Sequence, residues 1–141
     1  MKRIKMIIYI ITALFLLILF LHALKRAPVQ ELPTSRNGIE ITMKQEVYQP
    51  STKEIGITIH NHRETEYTGI GGGKFPIDKY FAGSWYKVPF KSDTYTSQGI
   101  SIPPRETIEM YTEAIELDAE LTPGKYRARY GSLAAPFEVK E

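Results

Sequence analysis

Between Met6 and Leu24 the chain runs for nineteen residues without an Asp, Glu, Lys or Arg. As a helix rising about 1.5 Å per residue, this stretch is roughly 28 Å long. That length is close to the ~30 Å hydrocarbon thickness of a bilayer. The run is apolar on every face, which suits lipid, where a helix satisfies its own backbone groups and lipid tails accept apolar side chains all round. Residues 6–24 are therefore expected to lie in a lipid bilayer, with everything after them on one side of it. Lys2, Arg3 and Lys5 precede the run and Lys25 and Arg26 follow it. With the amino-terminal charge added, the bias favours a cytoplasmic N-terminus and an extracytoplasmic C-terminal domain.

The alternative is a signal peptide that is removed, leaving a secreted protein. Signal cleavage wants small residues at −3 and −1 of the cut. A cut after Ala23 has Leu21 at −3, and a cut after Ala27 is followed at once by Pro28. The chain has no Cys, which excludes lipoprotein processing. The reading is an uncleaved signal-anchor over residues 1–27, a single pass through the cell membrane.

Beyond the anchor there is room for one domain and not for two good cores. Residues 1–27 hold five of the 18 bases and none of the 16 acids, so residues 28–141 carry 13 and 16, a net charge of −3. A mildly acidic exported part argues against nucleic acid as a partner. Without Cys there is no disulfide, and stability must come from the apolar core. Residues 28–37, with Pro28, Pro33, Ser35 and Asn37, read as a solvated spacer.

From Gly38 on, the pattern changes to a period of two. Ile39, Ile41 and Met43 alternate with polar residues, and Val47 and Tyr48 read as a continuation past a bulge. Gln49 to Thr52 is a turn. Ile55, Ile57 and Ile59 then face one way while Gly56, Thr58 and His60 face the other, the mark of a sheet with one wet face. The runs 74–81 and 85–90 around Ala82-Gly83-Ser84 read as a hairpin. Lys91 to Ser101 reads as a polar loop, Ile102 to Arg105 as a turn, Glu106 to Thr112 as a strand, and Glu113 to Glu120 as containing one short helical turn.

Three features bear on chemistry. His60 and His62 share a strand face, but a tight zinc site wants about four ligands, and nothing nearby in sequence completes one; Glu64 and Glu66 are the closest acids. Gly69-Ile-Gly-Gly-Gly-Lys74 lacks the Ser/Thr of a phosphate loop and runs into Phe75-Pro76, so it reads as a loop or bulge with positive φ. Tyr80, Trp85, Tyr86 and, further on, Tyr95 are the candidate ligand-facing aromatics, set against core packing. No catalytic residues, no metal ligands and no cofactor are indicated. There is no Cys nucleophile and no Ser-His elbow, and the carboxylates are scattered.

Leu121-Thr-Pro123-Gly124-Lys-Tyr126 has the shape of a tyrosine corner, in which a phenol after a tight turn anchors the loop joining two sheets. A backbone group near Asp118 to Glu120 is the expected partner of the Tyr126 hydroxyl. Ala128 stands where disulfide-bonded immunoglobulin domains carry Cys. Together with Tyr48 to Asn61 and Trp85 to Phe90, this segment resembles a family of bacterial immunoglobulin-like domains found in small exported proteins and lipoproteins of Gram-positive bacteria. The resemblance covers nearly all of residues 38–141 and implies an all-β, immunoglobulin-like β-sandwich of about seven strands behind one N-terminal transmembrane helix. It implies no catalytic or binding residues. The expected function is a non-catalytic protein-interaction or structural module, with an unknown envelope protein or a cell-wall polymer such as peptidoglycan as partner.

Overall fold

The computed structural model describes residues 2–71, 73–92 and 98–141, without the side chains of 2, 3, 21–24 and 71. Among the described residues one helix, α1 (Lys2–Lys25), is followed by eleven strands. These are β1 (Ser35–Arg36), β2 (Ile39–Met43), β3 (Val47–Tyr48), β4 (Glu54–Asn61), β5 (Tyr67–Gly71) and β6 (Ile77–Phe81), then β7 (Ser84–Lys87), β8 (Gln98–Ile102), β9 (Thr107–Glu113), β10 (Gly124–Tyr130) and β11 (Leu133–Val139). A single 3-10 turn, Ala114–Glu116, falls within the segment expected to hold one. Among the described residues no helix is long and apolar enough to cross a membrane; the side chains described in α1 are those of residues 4–20 and 25.

A four-stranded sheet, β1-β2-β4-β9, faces a five-stranded sheet, β3-β11-β10-β6-β7. Their inner faces supply the core, as period-two alternation requires. Ile39 and Ile41 of β2 and Ile55, Ile57 and Ile59 of β4 come from one side; Ile77, Tyr126, Ala128, Phe137 and Val139 come from the other. Every one of these is at most 4 % exposed. The β6–β7 hairpin closes through Ala82 and Gly83, both at positive φ (48° and 79°), the twist that a two-residue hairpin turn needs.

Five expectations are corrected. Val47 and Tyr48 do not prolong β2: β3 crosses to the other sheet and pairs parallel with β11. The bulge expected there is a sheet switch, and it places Tyr48 edge-on to Phe137, 5.4 Å between centroids. The first half of the glycine-rich stretch is strand, because Gly69 to Gly71 belong to β5, which pairs with β8 in a separate two-stranded ribbon, Tyr67 opposite Ile102 and Gly71 opposite Gln98, while Gly73 has the expected positive φ of 40°. The same pairing turns the end of the supposed 91–101 loop into strand. The count of about seven strands rises accordingly, and the sandwich begins at Ser35, ahead of Gly38, since β1 already pairs with β2.

Gly69 is required for close approach. A Cβ there would collide with the Tyr130 hydroxyl. Gly69→Ala is expected to cost about 1–3 kcal/mol by overpacking, and Tyr130→Phe in the same chain should restore most of that loss. Urea unfolding of the two single variants and the double variant checks it; full loss in the double variant would place the strain elsewhere.

Candidate functional site

The hairpin carries the aromatics singled out by sequence. Tyr80 stands opposite Trp85 across the β6–β7 pair, edge to face, with centroids 5.0 Å apart and planes at 61°. Tyr80 is 40 % exposed and Phe81 beside it 61 %, while Trp85 and Tyr86 are half-buried. Tyr86 pairs with Lys79 and so lies on the opposite face of the strand from Trp85. Tyr95 lies outside the described residues. The structure thus joins Tyr80 to Trp85 and separates Tyr86 from both. A crossing of 61° is no flat platform for a sugar ring.

Residues 26–34, read from sequence as the end of the anchor (26 and 27) and part of a solvated spacer (28–34), are a strap across the outer face of the five-stranded sheet. Arg26 forms an antiparallel bridge with Tyr86. The Ala27 amide donates to the Trp85 carbonyl (2.9 Å), and Ala27 is 3 % exposed. The Gln30 side chain takes both backbone groups of Trp85, accepting from its N–H at 2.7 Å and donating to its carbonyl at 3.2 Å. It also donates to the Ala27 carbonyl at 2.9 Å. Further on, the Ala134 amide donates to the Pro33 carbonyl (2.9 Å). Prolines limit the strap's own donors, so its carbonyls are met by groups of the sheet.

Arg127 is the centre of this contact. Its Nη1 and Nη2 donate to the carbonyls of Gln30 and Val29, each at 2.5 Å, and its Nε donates to Asp78 Oδ2 at 2.8 Å. The guanidinium lies 4.6 Å from the Trp85 ring centroid. Arg129 Nε approaches the same Asp78 oxygen at 2.9 Å. The Asp78 and Arg127 side chains are 0 % and 4 % exposed. A charge buried this deeply must be paired and hydrogen-bonded, and the rigid fork of an arginine suits two neighbouring carbonyls. Sequence reasoning missed Asp78, Arg127 and Arg129. Tyr126, Ala128 and Tyr130 alternate inward, so Arg127 and Arg129 read as solvent-facing; the only available signal was the cross-strand opposition of Arg127 and Asp78, which depends on register.

The wet face of the other sheet carries paired side chains. The rings of His60 and His62 stack at 5.7 Å and 15°. His62 Nε2 sits 2.7 Å from Glu40, and His60 Nδ1 2.8 Å from the Thr107 hydroxyl. The acid beside His62 is therefore the cross-strand Glu40; Glu64 instead pairs with Arg105. No group of three or more His, Cys, Asp or Glu among the described residues is placed to hold a metal. Lys44 donates to Glu109 (2.6 Å) and to the Tyr111 hydroxyl (2.7 Å), which in turn donates to Glu109 (2.6 Å), and the bonds Glu109 accepts from Lys44 and Tyr111 hold its carboxyl below the usual range. An open groove of about 610 Å³ runs beside it, lined by Ile100, Ile108, Met110 and Tyr111 among others. Glu109 is its one lining carboxylate among the described residues.

At the far end of β10, Tyr130 is buried, its hydroxyl has no partner among the described residues, and burial, helped by Tyr67, raises its pKa to about 12. The folded chain then binds more protons than the unfolded one between the ordinary tyrosine pKa of about 10 and the raised value, so stability is intact below that window and falls as pH rises through it. Alkaline titration of the urea midpoint should show this fall, and Tyr130→Phe should flatten it; an unchanged slope would assign the fall to other groups.

The family model described as bacterial Ig-like domain matches residues 35–138. No curated protein matches the sequence. Among solved structures, the chain is similar to the Pseudomonas fluorescens alkylpurine DNA glycosylase AlkC bound to abasic-site DNA, at 12 % identity and a TM-score of 0.44 over 76 % of this chain and 32 % of that one. It is also similar to a β-glucosidase from Listeria innocua in complex with gluconolactone, at 12 % identity and a TM-score of 0.41 over 73 % of this chain and 16 % of that one. The chain thus spans a third or less of these proteins, and at such scores the likenesses carry no argument about activity.

Proposed function

Because this chain belongs to the bacterial Ig-like domain family, we propose that it is a non-catalytic, extracytoplasmic immunoglobulin-like module anchored in the cell membrane by α1, serving protein interaction or envelope structure. The observation that carries the anchor is the surface of the helix. Its large apolar side chains are exposed on every side, from Ile4 at 63 % through Tyr9 at 73 % to Phe20 at 62 %. Apolar surface left bare on this scale needs a cover, and the charge-free run of the sequence continues to Leu24. Lipid covers such a helix on all faces at once. A sugar-binding reading lacks support, since the aromatic pair is not coplanar.

Fractionation with carbonate extraction, followed by protease shaving of protoplasts, tests this reading. The chain is expected in the carbonate-resistant membrane fraction with its C-terminal domain digested from outside. A mature protein beginning near Leu24 in the medium would overturn the anchor in favour of the secreted form.

A further inference from the structure

We infer that the exposed aromatic face of the β6–β7 hairpin is a second membrane contact, resting in the headgroup region of the bilayer that α1 enters. The inference rests on the anchor proposed above and goes further, giving the aromatic residues a ligand. It starts from the short connection between helix and sandwich. The helix ends at Lys25, Arg26 is bridged to Tyr86, and Ala27 is hydrogen-bonded to Trp85. Two residues of extended chain span at most about 7 Å, and Gln30 and Arg127 hold the next residues against the sheet. The hairpin is therefore tied to the helix end without slack.

From Ala27, Trp85 is one strand spacing away and Tyr80 two, or about 10 Å in all. The polar zone on each side of a bilayer is roughly 5–8 Å deep. A hairpin held this near the helix end lies at the edge of that zone, and its side chains reach into it. Those that do so have the composition of such a zone. Tyr80 is exposed on the Trp85 face, Phe81 is exposed on the other face of β6, and nothing lies within 4 Å of a side chain added at the neighbouring Gly83. Exposed Lys25, Arg26 and Lys87 flank them. Aromatic rings with a polar edge settle at the headgroup level, and lysine and arginine extend their charges to the phosphates above apolar stems.

Trp85 is the single tryptophan of the chain, so the native protein carries its own reporter. The full chain would be placed in phosphatidylglycerol–phosphatidylethanolamine vesicles containing lipids brominated either near the headgroup or near the bilayer centre. Trp85 emission should be quenched about twofold more by the shallow bromines than by the deep ones, as expected of a residue at the headgroup level. Lys87→Glu, a charge reversal at an exposed position on the Trp85 face, should lessen that quenching while the chain stays carbonate-resistant. Absence of quenching in a carbonate-resistant chain would overturn the contact and leave the anchor standing. Carbonate extraction of the chain would overturn both. A shift of Trp85 emission on adding soluble peptidoglycan fragments to the detergent-solubilised chain would reassign the aromatic face to a cell-wall polymer.

Discussion

Asp78→Ala is expected to destabilise the sandwich by about 3–5 kcal/mol, the cost of stripping one partner from a buried ion pair. Asp78 is fully buried and its Oδ2 serves both Arg127 and Arg129. Removing the carboxylate leaves the Arg127 charge buried, with only the carbonyls of Val29 and Gln30 and the face of Trp85 to compensate it. Arg127→Met tests the other side of the account: an apolar residue of similar length under a carboxylate that still has Arg129 should cost less than Asp78→Ala. Urea unfolding of the full chain in detergent micelles, followed by Trp85 emission, reads both variants. A loss below about 1 kcal/mol for Asp78→Ala would match the median of exposed pairs and show the cluster to be solvated.

Tyr126→Ala should be nearly as damaging, at about 3–5 kcal/mol for a large buried aromatic. Tyr126 is 2 % exposed and its ring stacks on Phe137 at 5.4 Å. Its hydroxyl donates to the Thr122 carbonyl at 2.8 Å and accepts from the Thr122 amide at 3.2 Å, so the partner lies closer along the chain than Asp118 to Glu120. Tyr126→Phe keeps the ring and removes these bonds, for an expected loss of about 0.5–1.5 kcal/mol. Tyr130→Phe is the contrasting case, because a buried hydroxyl without a partner costs more than it returns, and its removal should be neutral or stabilising. Equal losses for the two Phe variants would mean that the Thr122 contact contributes nothing to the turn before β10. Since domains are typically stable by only about 5–15 kcal/mol, Tyr126→Ala or Asp78→Ala alone removes a large fraction of what holds a disulfide-free sandwich together.

The elements legible in sequence were those whose side chains alternate. Ile55, Ile57 and Ile59 announce β4 because branched apolar residues at every second position have one face to bury. The hairpin at Ala82-Gly83 and the turn before Tyr126 were legible because tight turns restrict residue choice. The β5–β8 ribbon was not, since Gly69 and Gly71 have no side chain to carry a period and backbone pairing leaves no trace in composition. The strap was hidden for a different reason. Its hold on the sheet comes from carbonyls and one glutamine amide, and Arg127 reaches Val29 across 98 positions of sequence. Alternation could show that Arg127 faces outward from the sandwich, but not that a remote segment covers it there. The same limit applies to the aromatics, whose types were readable while their distance from the helix end was set by the bridge from Arg26 to Tyr86.

The strap also decides how force passes between the two parts of the chain. A tension applied through α1 meets Trp85 and Tyr86 at Ala27 and Arg26 before it reaches β1, the first strand of the sandwich in sequence. Because the segment lies antiparallel to β7, a pull along the strands loads its bonds together in shear, not one by one. Arg127 then relays the load to β10, which lies in the interior of the five-stranded sheet between β6 and β11. Traction on the helix is thus carried by the middle of the domain, and the sandwich is towed as a rigid body rather than swinging on a leash.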